Sequence, residues 1–146
     1  MMAEARTAAG LMAILLPAAA VAQTPSPPTL DCTLGYDGLR TYLHSLPGAQ
    51  WGIEGGYDIA SLGADSWRVQ FAFTGPGHPA HPAVMQRIFR RQVTEVWTAE
   101  SKGCGYGNPS QFAILMADMK AGDTKLTNAS RQEVEARKAE QSPLGP

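Results

Sequence analysis

Cysteine, charge and long apolar runs are all scarce in this chain of 146 residues. Its two cysteines are too few for a disulfide-dense scaffold or a cysteine-built metal cluster, each of which needs several. Charged residues make up 17%, with 12 basic against 13 acidic side chains. That balance excludes the electrostatic footprint of a nucleic-acid binder. Low charge together with 44% hydrophobic content also argues against a chain disordered throughout. The longest apolar run, Leu11 to Ala22, falls short of the roughly 20 residues that a membrane-spanning helix requires. G-x-S-x-G, the P-loop, the dinucleotide fingerprint, H-E-x-x-H and C-x-x-C are all missing, as is any internal repeat. No residue is therefore nominated as catalytic.

What is present begins with a leader pattern. LMAILLPAAAVA ends in Ala20, Val21 and Ala22, the small-x-small arrangement that a signal peptidase cuts. Residues 1–22 are expected to be a signal peptide, which leaves no integral membrane segment and places the chain in the periplasm or outside the cell. In that oxidising setting Cys32 and Cys104 are expected to form a disulfide. Residues 23–30, QTPSPPTL, are expected to be a Pro-rich linker. A single domain should cover 31–124, and 125–146 should form a solvated helix and flexible tail.

The fold class expected is α+β, a small antiparallel sheet packed by helices. Leu39, Leu43 and Leu46 recur at helical spacing between Asp37 and Pro47, which predicts a helix over 37–46. Trp67, Val69, Phe71 and Phe73 alternate with Arg68, Gln70, Ala72 and Thr74. This is the clearest strand signal, and with Trp51, Ile53, Tyr57 and Ile59 it predicts a hairpin over 51–74. Gly55 and Gly56 interrupt the first arm, where a bulge or close backbone approach is expected. Asn108 and Pro109 open a second helix over 109–121 with Phe112, Leu115, Met116 and Met119 on one face and Gly122 as its stop. Ser130 and Glu133 have capping-box spacing for a separate final helix.

Residues 84–102 carry two conflicting signals. Apolar positions 84, 85, 88, 89, 93, 96 and 97 score as a helix over 82–100, while the β-branched and aromatic VTEVWT at 93–98 favours strands. GPGHPAHPAV at 75–84, the arginines 87, 90 and 91, and GYGNPSQF at 105–112 together resemble small exported, periplasmic bacterial proteins of unassigned function over residues 67–122. That resemblance implies a helix, four antiparallel strands and a helix, and so tips the choice toward a second hairpin over 84–102. It implies no activity.

Candidate sites are few. His78 and His81 form an H-x-x-H that could share a metal, with His44, Asp58 or Asp65 as third ligand by type. Prolines 79 and 82 preclude a regular helix between the two imidazoles, and the competing expectation is a rigid loop. Arg87, Arg90 and Arg91 are the one basic cluster, a possible stripe for an acidic or cell-envelope protein partner. Met85, Met116 and Met119 could offer soft copper ligands, but such a face is more often core filler. Gly103, Gly105 and Gly107 precede a helix N-terminus, where an anion could sit; a tight turn serving the disulfide is the plainer expectation. Apart from that possible metal, no cofactor is expected. The function favoured is an exported, non-catalytic binding or accessory protein of the cell envelope. The alternatives are a metal-binding or metal-dependent protein using His78 and His81, and a small enzyme with its pocket between the aromatic sheet face and the helix at 109–121.

Overall fold

The computed structural model describes residues 25–143. The expected signal peptide and the last three residues lie outside that range. A short 3-10 turn, Cys32–Leu34, leads into helix α1, Gly35–Ser45. Five strands follow, β1 Gln50–Glu54, β2 Tyr57–Gly63, β3 Trp67–Phe73, β4 Ala83–Arg91 and β5 Trp97–Gly105. Helix α2, Pro109–Glu140, closes the chain. The strands form one antiparallel meander in the order β1-β2-β3-β4-β5. The fold is α+β.

Two layers cover opposite faces of the sheet. On the first, Trp67, Val69, Phe71 and Phe73 of β3 join Ala60 of β2, Val84 of β4 and Cys104 of β5 against Leu39 and Leu43 of α1. Both leucines are fully buried, worth about 1.5–3 kcal/mol each. The second face carries Met85 beneath Leu115, with Phe112, Met116 and Met119 of α2 packed around them. The disulfide between Cys32 and Cys104, Cα atoms 5.4 Å apart, ties the start of the α1 layer to the edge strand β5.

The 84–102 region is a hairpin of β4 and β5, so a helix over 82–100 is excluded. Val93 to Val96 belong to its turn, where the Gln92 amide donates to the Val96 carbonyl. The first sheet region holds three strands where one hairpin was expected, because Gly55 and Gly56 form a two-residue turn. Their φ values of 58° and 83° suit the left-handed backbone of such a turn. Helix α1 spans 35–45, close to the expected 37–46.

Helix α2 does not stop at Gly122, and no separate helix starts at Ser130. A Cβ on Gly122 would lie 2.8 Å from the Arg87 guanidinium, so this glycine makes room for an arginine. Ser130 accepts from the Trp97 amide at 2.9 Å instead of capping a helix. The stretch 125–140 therefore packs with the domain, and Val134 is buried within it. Residues 25–30 belong to no helix or strand, yet they lie along the first face, where Leu30 packs against its core. Trp67 Nε1 donates to the Pro25 carbonyl, and Gln86 Nε2 donates to that of Pro28 at 2.7 Å.

Candidate binding groove

Helix α2 sits to one side of its face of the sheet. Its polar residues Asp123, Thr127 and Ser130 meet Ser101, Ala99 and Trp97 of β5. Ser101 Oγ donates to Asp123 Oδ1 at 2.7 Å, the Ala99 amide to Thr127 Oγ1 at 3.0 Å, and the Trp97 amide to Ser130. Helix residues three or four apart rise about 5 Å, close to the roughly 6.6 Å between alternate strand residues. The two elements run antiparallel, so one row of side chains can serve one row of strand groups. Arg87 completes the contact. Its Nε donates to Asp123 Oδ1 at 2.7 Å and a terminal nitrogen donates to the Met119 carbonyl at 2.9 Å.

Because the helix is held over β5 and β4, the same face of β1 to β3 is left open. The result is a groove of about 880 Å³, within the size range of small-molecule sites. Gln50, Ser61, Arg68 and Gln70 contribute to its floor. Leu126, Ala129, Ser130 and Glu133, spaced as one helical face, form the α2 wall. Phe89 and Trp97 stand beside that wall, and the Arg68 guanidinium lies 4.9 Å from the centre of the Trp97 ring. Gln70 also borders a second hollow of about 290 Å³ that extends toward Tyr57 and Met119. An aromatic and aliphatic wall beside two side-chain amides can stack on a ligand and pair with backbone-like polar groups.

The candidates named from sequence are scattered. His78 and His81 belong to one loop, but their rings are committed separately. His78 Nδ1 accepts from the Ala80 amide at 3.0 Å, and Nε2 faces the Tyr57 hydroxyl at 3.0 Å. His81 Nδ1 faces the Thr74 carbonyl at 2.9 Å, and its ring lies edge-on to Tyr36 of α1, centroids 5.2 Å apart. Of the three residues suggested as a third ligand, His44 stacks on Trp51, Asp58 pairs with Arg40, and Asp65 lines the groove. Among the described residues no group of three His, Cys, Asp or Glu side chains could hold a metal ion.

The three arginines do not form a stripe either. Cross-strand partners share a face of the sheet, so the register sets Arg87 and Arg91 on the α2 side and Arg90, opposite Trp67, on the α1 side. Arg87 is taken up by Asp123, and Arg91 pairs with Glu95 at 3.1 Å. Met85, Met116 and Met119 do come together, as packing around Leu115. Gly103 and Gly105 lie within β5, and a Cβ on either would fall 2.5 Å from Met116 Sδ or from Phe112 Cγ. They admit the first turns of α2, which displaces both the anion-site and the tight-turn expectations. The aromatic sheet face lies under α1 and not under α2, so no pocket forms between that face and residues 109–121.

Sequence reasoning missed Arg68, Trp97 and the α2 face at 126–133. The usable signal was the set Asp123, Thr127 and Ser130 at helical spacing, small polar residues that look solvated until a strand edge is set beside them. No family model, curated protein or solved structure matches this chain. Among the described residues no helix is long and apolar enough to cross a membrane.

Proposed function

We propose that the chain is an exported binding or accessory protein of the cell envelope, without catalysis of its own. Its partner, a cell-envelope protein, is held in the groove beside α2. The disulfide between Cys32 and Cys104 carries this reading. A bridge across 72 residues of sequence persists where the surroundings are oxidising, and it agrees with the leader pattern ending at Ala22. The groove supports the binding role. Its stacking surface at Phe89 and Trp97 and its amides at Gln50 and Gln70 suit a length of polypeptide, whose backbone can pair with amides while an apolar side chain packs on the ring.

Fractionation of the native cells tests the compartment. The chain is expected in the periplasmic or secreted fraction, cleaved after Ala22 by intact mass and inert to thiol alkylation. A photo-crosslinking residue at Ser61 tests the groove against one at Val93, which is fully exposed on the β4–β5 turn. A discrete adduct to an envelope protein from Ser61 alone supports the assignment. Intact chain in the cytosol with both thiols alkylated would overturn it, as would a turnover abolished by one substitution.

A further inference from the structure

The two edges of the sheet are treated differently. At β5 the outward-facing amides of Trp97 and Ala99 are satisfied by Ser130 and Thr127 of α2. Among the described residues, none covers strand β1 in this way. Apart from its shortness at five residues and the single charge of Glu54 at its end, it carries none of the usual edge guards. It has no Pro, no Lys and no bulge, and its Ile53 is 81% exposed.

We infer that β1 is the interface of a homodimer, pairing with β1 of a second copy about a two-fold axis at Gly52. The two-residue turn at Gly55 and Gly56 makes Glu54 and Tyr57 a hydrogen-bonded pair. Alternation along an antiparallel ladder then directs the backbone groups of Gln50, Gly52 and Glu54 at β2, and those of Trp51 and Ile53 outward. A second β1 centred on Gly52 puts Trp51 opposite Ile53 of the other copy, at both ends. These are the residues whose amides and carbonyls are free to exchange bonds across the new ladder.

The side chains agree with that register. Trp51 and Ile53 share the α1 side of the sheet, so each meeting is apolar and covers the exposed isoleucine. Gln50 meets Glu54 on the other side, an amide opposite a carboxylate, and no like charges are opposed. Gly52 meets Gly52 in the close, non-hydrogen-bonded position, where a Cβ finds nothing within 4 Å in the monomer. A two-fold interface must be complementary to itself, and this strand is. The axis stands perpendicular to the sheet, so both α2 helices lie on one side. The open β1 to β3 faces of the two copies join into one floor between them. The inference does not depend on the proposed compartment or partner.

Sedimentation velocity on the purified oxidised chain at micromolar concentration tests it. The expected result is a dimer that is lost in Ile53→Lys, with circular dichroism unchanged because that side chain is exposed in the monomer, and with melting lowered to that of the unsubstituted chain diluted to monomer. Gly52→Cys should form an interchain disulfide under mild oxidation, since facing positions of a close pair lie within disulfide reach. Val93→Cys, on the exposed turn, should not. A monomer at every concentration overturns the inference, including the case in which β1 receives a strand from another protein. A dimer that survives Ile53→Lys, with no crosslink through Gly52→Cys, also overturns it.

Discussion

Arg87 on β4 and Asp123 on α2 form the ion pair that fixes the helix over the sheet, with Nε to Oδ1 at 2.7 Å and side chains only 18% and 10% exposed. The same carboxylate oxygen also accepts from Ser101. Its neighbours in the helix follow from this contact. Gly122 yields the space, and the Met119 carbonyl takes a second guanidinium bond.

Asp123→Ala should therefore be among the most damaging single changes. It strands a guanidinium that the fold has withdrawn from water, a class of change that costs about 3–5 kcal/mol. Urea unfolding at neutral pH would read this as a fall in midpoint. The double change Arg87→Met with Asp123→Leu should recover much of the loss, since two apolar side chains leave no unpaired charge.

Gly105→Ala is expected to destabilise although alanine is commonly tolerated in strands. Its Cβ would sit 2.5 Å from Phe112 Cγ, at the root of a ring that cannot swing away. Overpacking of this kind costs about 1–3 kcal/mol. Adding Phe112→Ala removes the clashing atom, so the double variant should lose less than the two single losses added together, and thermal melting of the three variants would show whether it does.

Acid and alkali should both weaken the same corner of the fold, each through a different side chain. Asp31 caps the 3-10 turn before α1, and hydrogen bonds from the Thr33 hydroxyl and amide hold its carboxyl below the usual aspartate value. A lowered folded value means the contribution is present above the ordinary aspartate range and is lost as pH falls through the folded one. Tyr106, which donates to the Cys32 carbonyl at 2.7 Å, is raised by burial and by the charge of Asp31. Its contribution is present below the ordinary tyrosine range and fades as pH rises through the folded value. Carbon-detected NMR titration of both side chains would follow this, with Asp31 expected to titrate low and Tyr106 high.

The contested stretch at 84–102 shows why part of the sheet was hard to read. Strand β4 is covered on both faces, Val84 and Ile88 by the α1 layer and Met85 by the α2 layer, with Phe89 on that second side. Apolar residues at 84, 85, 88 and 89 therefore satisfy two layers at once, and the same spacing imitates one face of a helix. Alternation survives in β3 because its second face is partly open, so Trp67 to Phe73 read cleanly as a strand. The groove was less legible, since Arg68 and Trp97 are 29 positions apart and only strand register brings them together.

By itself the chain settled its α+β class, the helix start at Asn108, the strand at 67–73 and the pairing of Cys32 with Cys104. Each follows from local periodicity, from a cap beside its own helix, or from there being only two cysteines to join. The tertiary structure alone decided that α2 runs on to Glu140, that Arg87 is bound internally, and that one sheet edge is sealed and the other open. Those outcomes depend on distant backbone groups finding partners, and a carboxylate, a hydroxyl or a glycine has no fixed role until the element it faces is in place.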